Sequence, residues 1–288
     1  MENTGTTIKE NMKKTGLDWS VRSENLITAS TGLAVEGKAI VRNDNNTILG
    51  VHGSDYQAYQ NEQLFELLYN ITKQTGLELH TGGCFGLGKK VYVQFKSDDL
   101  KIGNDLVRGF LTGINSFDGS TSLCFGASSF TVSCSNTFYG VMKGLENKVK
   151  HTKNMLIRLD DVLRRIDQSL IEEKVIFDHI KRFSEVKMTQ AQMDNVIRLM
   201  LDIPKETSLT DFNALSTRKQ NQIATFKTAA GIEIADKGEN LWGLFSGVTR
   251  YTTHNLGGKK SGEEHKMFGR YGQKEKQVFS NFAQLVKD

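Results

Sequence analysis

Cations alternate with aromatic rings along the middle of this 288-residue chain. Lys89, Lys90, Tyr92 and Lys96 bracket one alternating segment, Arg108 and Phe110 sit on the next, and Tyr139, Lys143, Lys148, Lys150 and Lys153 follow. Cations track phosphates while aromatic faces stack on bases whatever their sequence, so these residue types together suit a single-strand nucleic-acid binder. The lysines and Arg108 are therefore candidate phosphate contacts, with Tyr92 and Tyr139 as stacking platforms. By residue type alone, Tyr92 and Phe110 would serve a core equally well.

Other chemistries fit less well. Gly83-Cys84-Phe85-Gly86-Leu87-Gly88-Lys89-Lys90 comes within one residue of a phosphate-cradling loop. That motif needs a Ser or Thr after its Lys to hold magnesium, and a helix next to face the phosphates. Lys90 takes the Ser/Thr position and a β-like alternation follows, so the glycines read as a hairpin connection that presents Lys89 and Lys90. Cys134 and His151 would flank one helix, too far apart for a dyad. The six histidines show no metal-ligand spacing, and Asp98-Asp99, Asp160-Asp161, Glu172-Glu173 and Glu263-Glu264 are adjacent pairs that point apart rather than into one cleft. The expectation is a non-enzyme with no cofactor, no metal and no catalytic residue.

The elements that must position these residues read as α+β. Residues 1–20 are polar and expected as a flexible arm; 21–150 form an α+β domain, 151–256 a helical region, and 257–288 a basic linker with an amphipathic helix. Asn61 to Gln74 carries a wide apolar stripe and stops at Gly76, the pattern of a core helix. Val91, Val93 and Phe95 alternate onto one face of a strand, which pairs with 106–114 through a turn at Ser97-Asp98-Asp99. A hairpin turned at Phe117-Asp118-Gly119-Ser120 leads to a third strand, 122–134, and completes an antiparallel meander. A helix entered through Ser135-Asn136-Thr137 then ends in the basic run Lys148 to Lys153. Apolar residues recur with a period near 3.5 from Met142 to Ile180, which predicts a long helix of about 58 Å. Further helices follow at 189–201, with a Thr189/Gln192 capping box, at 216–230, at 239–254 and at 274–287.

Composition sets the frame. Net charge is only +4, but Lys143–Arg165 and Arg250–Lys276 each hold seven Lys/Arg against three acids, leaving the remainder at −4. Local phosphate binding leaves such a footprint. Three widely spaced cysteines in apolar contexts read as buried, reduced thiols, and neither a signal peptide nor an 18-residue apolar run is present. A cytoplasmic location and no membrane partner are the expectation.

Several motifs resemble the phage/plasmid-like protein family, which carries a domain-of-unknown-function label. They are Leu17-Asp18-Trp19-Ser20-Val21, Tyr59-Gln60-Asn61-Glu62, Thr81-Gly82-Gly83 with Gly88-Lys89-Lys90-Val91-Tyr92-Val93, Phe117-Asp118-Gly119-Ser120, Cys134-Ser135-Asn136-Thr137, His151-Thr152 and the stretch from Asn240 to His254. The family commonly has His where this chain has Phe117. The resemblance implies a mobile-element context and supplies no functional residues. More distantly, the order of helix, antiparallel strands and long helix looks like the core of Rad52-like single-strand annealing proteins, which assemble into rings and lay DNA along a basic groove. Together these readings predict a homo-oligomeric single-stranded DNA-binding protein that anneals strands in recombination or replication. The rival is a phage interaction protein, an anti-defence or assembly factor, with no nucleic-acid role.

Overall fold

A computed structural model describes residues 4–103, 105–131, 136–141, 148–152, 166–211, 214–256 and 264–286. The fold is α+β, with a three-stranded antiparallel sheet, a six-stranded sheet and a helical C-terminal region. The chain divides into two compact units that do not follow the linear boundaries at 20, 150 and 256: Met1–Asp98, Phe110–Ala127 and Met142–Ile171 form the first, and Asp99–Gly109, Ser128–Val141 and Glu172–Asp288 the second.

In the first unit, α1 (Thr4–Thr15) is followed by β1 (Val21–Ile27), β2 (Ala34–Arg42) and β3 (Ile48–His52), which pair antiparallel in that order. The segment expected as a flexible arm is thus a helix. Its Ile8 and Met12, four residues apart, reach the core with Leu17 and Trp19. α2 (Asn61–Thr75) forms where its stripe predicts, burying Leu64, Phe65, Leu67 and Leu68. Its start is tied to the beginning of β1 and the chain before it: the Gln60 amide exchanges two hydrogen bonds of 2.9 Å with the Val21 backbone, and Asn61 Nδ2 donates to the Leu17 and Trp19 carbonyls. Two of the motifs singled out above are therefore in contact, and the side-chain amides of one, bonded to the backbone of the other, hold α2 in place.

The larger sheet runs β4 (Glu78–Phe85), β5 (Lys90–Ile102), β6 (Asp105–Ser116), β7 (Leu123–Thr131) and β8 (Asn136–Val141), with β9 (Lys148–Val149) also on β7. Val91, Val93 and Phe95 enter the core as their alternation predicts. Two expectations are corrected here. β5 continues past Ser97-Asp98-Asp99 to Ile102, turning instead near Gly103. The basic helix after Ser135 is absent: 136–141 and 148–149 are strands, so the long helix cannot begin at Met142. Residues 142–147 and 153–165 lie outside the described residues. Phe138, Tyr139 and Val141 favour an extended chain, and that preference outweighs the cap-like Ser-Asn-Thr before them.

In the second unit, α3 (Ile166–Glu185) from Glu172 onward, α4 (Gln190–Leu201), α5 (Thr217–Lys237), α6 (Leu241–Arg250) and α7 (Arg270–Leu285) pack around Phe183, Phe226, Phe245 and Phe282. The Thr189/Gln192 capping box is formed. α5 and α6 cross closely: a Cβ on Gly247 would lie 2.6 Å from Ala230 Cα, whereas one on Gly231 would meet nothing within 4 Å. Gly247→Ala should therefore destabilise this unit by about 1–3 kcal/mol through overpacking. Gly231→Ala should stabilise it by up to about 1 kcal/mol, since it only removes a helix-interior glycine. Urea unfolding of both variants checks the pair, and equal midpoints would refute the close crossing.

Candidate nucleic-acid interface

Antiparallel pairing decides which side chains of β4 and β5 share a face. Phe85 lies opposite Lys90, Gly83 opposite Tyr92, Thr81 opposite Gln94 and Glu78 opposite Lys96, with a bulge between Leu79 and Thr81. Since Val91, Val93 and Phe95 point into the core, Lys90, Tyr92, Gln94 and Lys96 all stand on the other face. Gly83 has no side chain to compete with the Tyr92 ring, which lies in ordinary contact with the space a Cβ would take. Tyr92 also stacks on Phe85, with centroids 5.5 Å apart and planes 23° from parallel. Lys89 and Lys96 are exposed, whereas Lys90 and Tyr92 are half-buried. The hairpin thus carries three cations on and just before β5 beside the half-buried Tyr92, whose partner Phe85 is only 9% exposed, and the Glu78 carboxylate opposite Lys96 opposes part of that charge.

The phosphate-loop lookalike is the connection between these strands. Gly86–Gly88 form a tight turn with positive φ throughout and β5 starts at Lys90, the hairpin that the alternation after Lys89 predicts. Cys84 beside it is exposed, a correction to the expectation of buried thiols, while Cys124 is buried.

The other predicted contacts scatter. Arg108 is half-buried in the second unit, where Nε lies 3.8 Å from Asp99 Oδ2. Phe110 is only 3% exposed, a core residue rather than a platform. Tyr139 lies on β8 in the second unit, and Lys148 sits on β9 across from Cys124. Lys150 is exposed just beyond it. Lys143 and Lys153 lie outside the described residues.

Sequence reasoning missed a second cluster in the first unit. His52, Tyr56 and His151 form a stack of three rings, with centroids 3.8 and 5.2 Å apart. His52 Nε2 lies 2.8 Å from the Phe117 carbonyl, Tyr56 donates to the Ser116 carbonyl, and His151 Nε2 lies 2.6 Å from Asn115 Oδ1. Asn115 Nδ2 donates to the Tyr59 carbonyl, so its oxygen faces the imidazole and His151 Nε2 carries the proton. Burial, with His52 nearby, pushes the His151 pKa down to about 4. Burial and Asp118 raise that of Tyr56. These groups fasten the 56–61 segment to the hairpin at Phe117, whose own ring is buried against Trp19 at 5.4 Å. No spacing signal announces the cluster, because His52 ends β3 of the smaller sheet and His151 follows β9 of the larger one, so the two are neighbours only in the folded chain.

Among the described residues no helix is long and apolar enough to cross a membrane. Neither a curated protein nor a solved structure matches the chain. A family model does match, over residues 48–271, which takes in the β4–β5 hairpin, the histidine stack and most of the helical region. The chain therefore belongs to the family described as domain of unknown function (DUF932).

Proposed function

We propose that the protein binds single-stranded DNA, as a phage- or plasmid-encoded factor in recombination or replication that works without a catalytic step. The observation that carries this reading is the face of the β4–β5 hairpin, where Lys90, Tyr92 and Lys96 share one side of β5 and Lys89 stands exposed just before it. Backbone cations beside a ring platform suit a strand whose bases are unpaired. Strand annealing requires more than one copy. The same reading takes the protein as a homo-oligomer, for which the exposed Ile27, Leu33 and Val35 near the end of the β1–β2 hairpin offer apolar surface.

A titration of fluorescent thirty-nucleotide single-stranded DNA against salt tests the proposal. Log K should fall linearly with log salt, and Lys89→Glu with Lys90→Glu should weaken binding by about 100-fold at low salt through lost phosphate contacts and added repulsion. Unchanged affinity in the double variant would remove the hairpin from the interface. Absence of binding by the wild type would sink the function. A second reading, an interaction protein with no nucleic-acid role, is favoured by the same exposed Ile27, Leu33 and Val35. Light scattering separates the assemblies, since a monomer at tens of micromolar would rule out the annealing oligomer.

A further inference from the structure

We propose that Leu87, at the tip of the β4–β5 hairpin, is a wedge that inserts between stacked bases of the bound strand. This rests on the reading of that hairpin as the nucleic-acid interface and names what its tip does there.

Leu87 is 76% exposed, the most of any large apolar side chain among the described residues. Its backbone is left-handed, at φ 62° and ψ 20°, between Gly86 and Gly88, which also have positive φ. That conformation disfavours a residue with a Cβ and a bulky side chain, and Gly or Asn would adopt it with less strain. Strained residues persist only where the surroundings over-determine them.

The surroundings of Leu87 do so. Arg42 Nη1 donates to the Leu87 carbonyl at 2.9 Å. The guanidinium is itself held by two hydrogen bonds to Asp44, at 2.9 and 2.6 Å, and lies 4.1 Å from the Trp19 ring centroid. A Cβ on Gly88 would come within 3.1 Å of Arg42 Nη1 and Trp19, so a glycine is needed for this brace to close. On either side of the tip, the Lys89 amide donates to the Gly86 carbonyl and the Phe117 amide to that of Lys89, at 3.2 and 2.7 Å. The tip is therefore fixed on its backbone side while its one large side chain faces water.

A fixed apolar tip followed directly by Lys89 and Lys90 has the chemistry of a stacking wedge. The cations hold phosphates, and the aliphatic side chain replaces a neighbouring base in the stack. The half-buried Tyr92 ring, on the strand that follows the tip, offers a face for the bases displaced.

The test uses the full chain with a thirty-nucleotide single strand carrying 2-aminopurine, whose emission rises when it is unstacked. Wild-type protein should raise that emission at saturation. Leu87→Ala should abolish the rise and weaken binding by about five- to tenfold, with the slope of log K against log salt unchanged because phosphate contacts remain. Because Leu87 lies in solvent, the variant should keep its fold, which circular dichroism checks. Binding by the wild type without a rise, or a rise that survives in Leu87→Ala, overturns the wedge and leaves the interface standing. No wild-type binding at low salt overturns both. Leu87-dependent capture on anionic phospholipid vesicles without DNA binding would assign the tip to a lipid surface, and also overturns the proposal.

Discussion

Lys266→Ala should destabilise the helical unit by about 3–5 kcal/mol, the usual cost of leaving one member of a buried ion pair uncompensated. Lys266 and Glu275 are 1% and 0% exposed, with Nζ 3.1 Å from Oε1. The ammonium also donates to Thr253 Oγ1 at 2.6 Å, and the Thr252 hydroxyl donates to Glu275 Oε1. Both threonines lie in the π-helical turn Tyr251–Asn255 that ends α6, so the pair joins that turn to α7. Among the described residues Glu275 Oε2 has no hydrogen-bond partner, and burial raises the carboxyl's pKa against the pull of Lys266. The site is therefore polar but incompletely satisfied. Replacing both partners, as Lys266→Met with Glu275→Leu, should recover most of the loss and can exceed the wild type, because the desolvation cost goes with the charges. Urea unfolding followed by the emission of Trp242, in the same unit, reads both variants. A single substitution that costs under about 1 kcal/mol would show that the pair is not desolvated in solution.

Local periodicity made part of this fold legible. The apolar stripe of α2, the alternation of Val91, Val93 and Phe95, the Asp118-Gly119 turn and the Thr189 cap are set by neighbours within a few residues, and each is found where the sequence places it. The β-like alternation after Lys89 also separated a hairpin from a phosphate loop.

What stayed hidden depends on distant partners. α1 shows its pattern through little more than Ile8 and Met12 among Thr, Asn and Lys, so its burial against α2 and β4 is invisible to composition. The run Lys148-Val149-Lys150-His151 fits a helix face or a strand equally well, and pairing with Leu123 and Cys124 on β7 decides it. Of the predicted contacts, β4–β5 pairing gathers Lys89, Lys90, Tyr92 and Lys96, while Arg108 and Tyr139 fall in the other unit. The wedge-like tip combines both kinds of information: its glycines are plain in the sequence, but the Arg42 and Trp19 brace comes from residues more than forty positions earlier.

Acid should weaken the first unit through His151. An unfolded histidine titrates near 6.5, whereas the folded one is depressed to about 4. Between those values the unfolded chain binds the extra proton, so unfolding stability rises with pH, and the His151 contribution is present in full above pH 6.5 and lost as pH falls through about 4. The imidazole is 7% exposed, and the difference of two to three units corresponds to roughly 3 kcal/mol over that window. His151→Gln removes the titration while leaving an amide able to donate to Asn115 Oδ1. Its unfolding free energy should therefore fall less steeply than that of the wild type between pH 7 and 4, with carboxylate contributions common to both cancelling in the comparison. Trp19 emission, from the same core, follows the transition. Parallel slopes for the two proteins would mean that His151 is solvated and that the three-ring stack opens in solution. A flatter slope in the variant would establish His151 as the acid-sensitive fastener of the segment that joins β3 to α2.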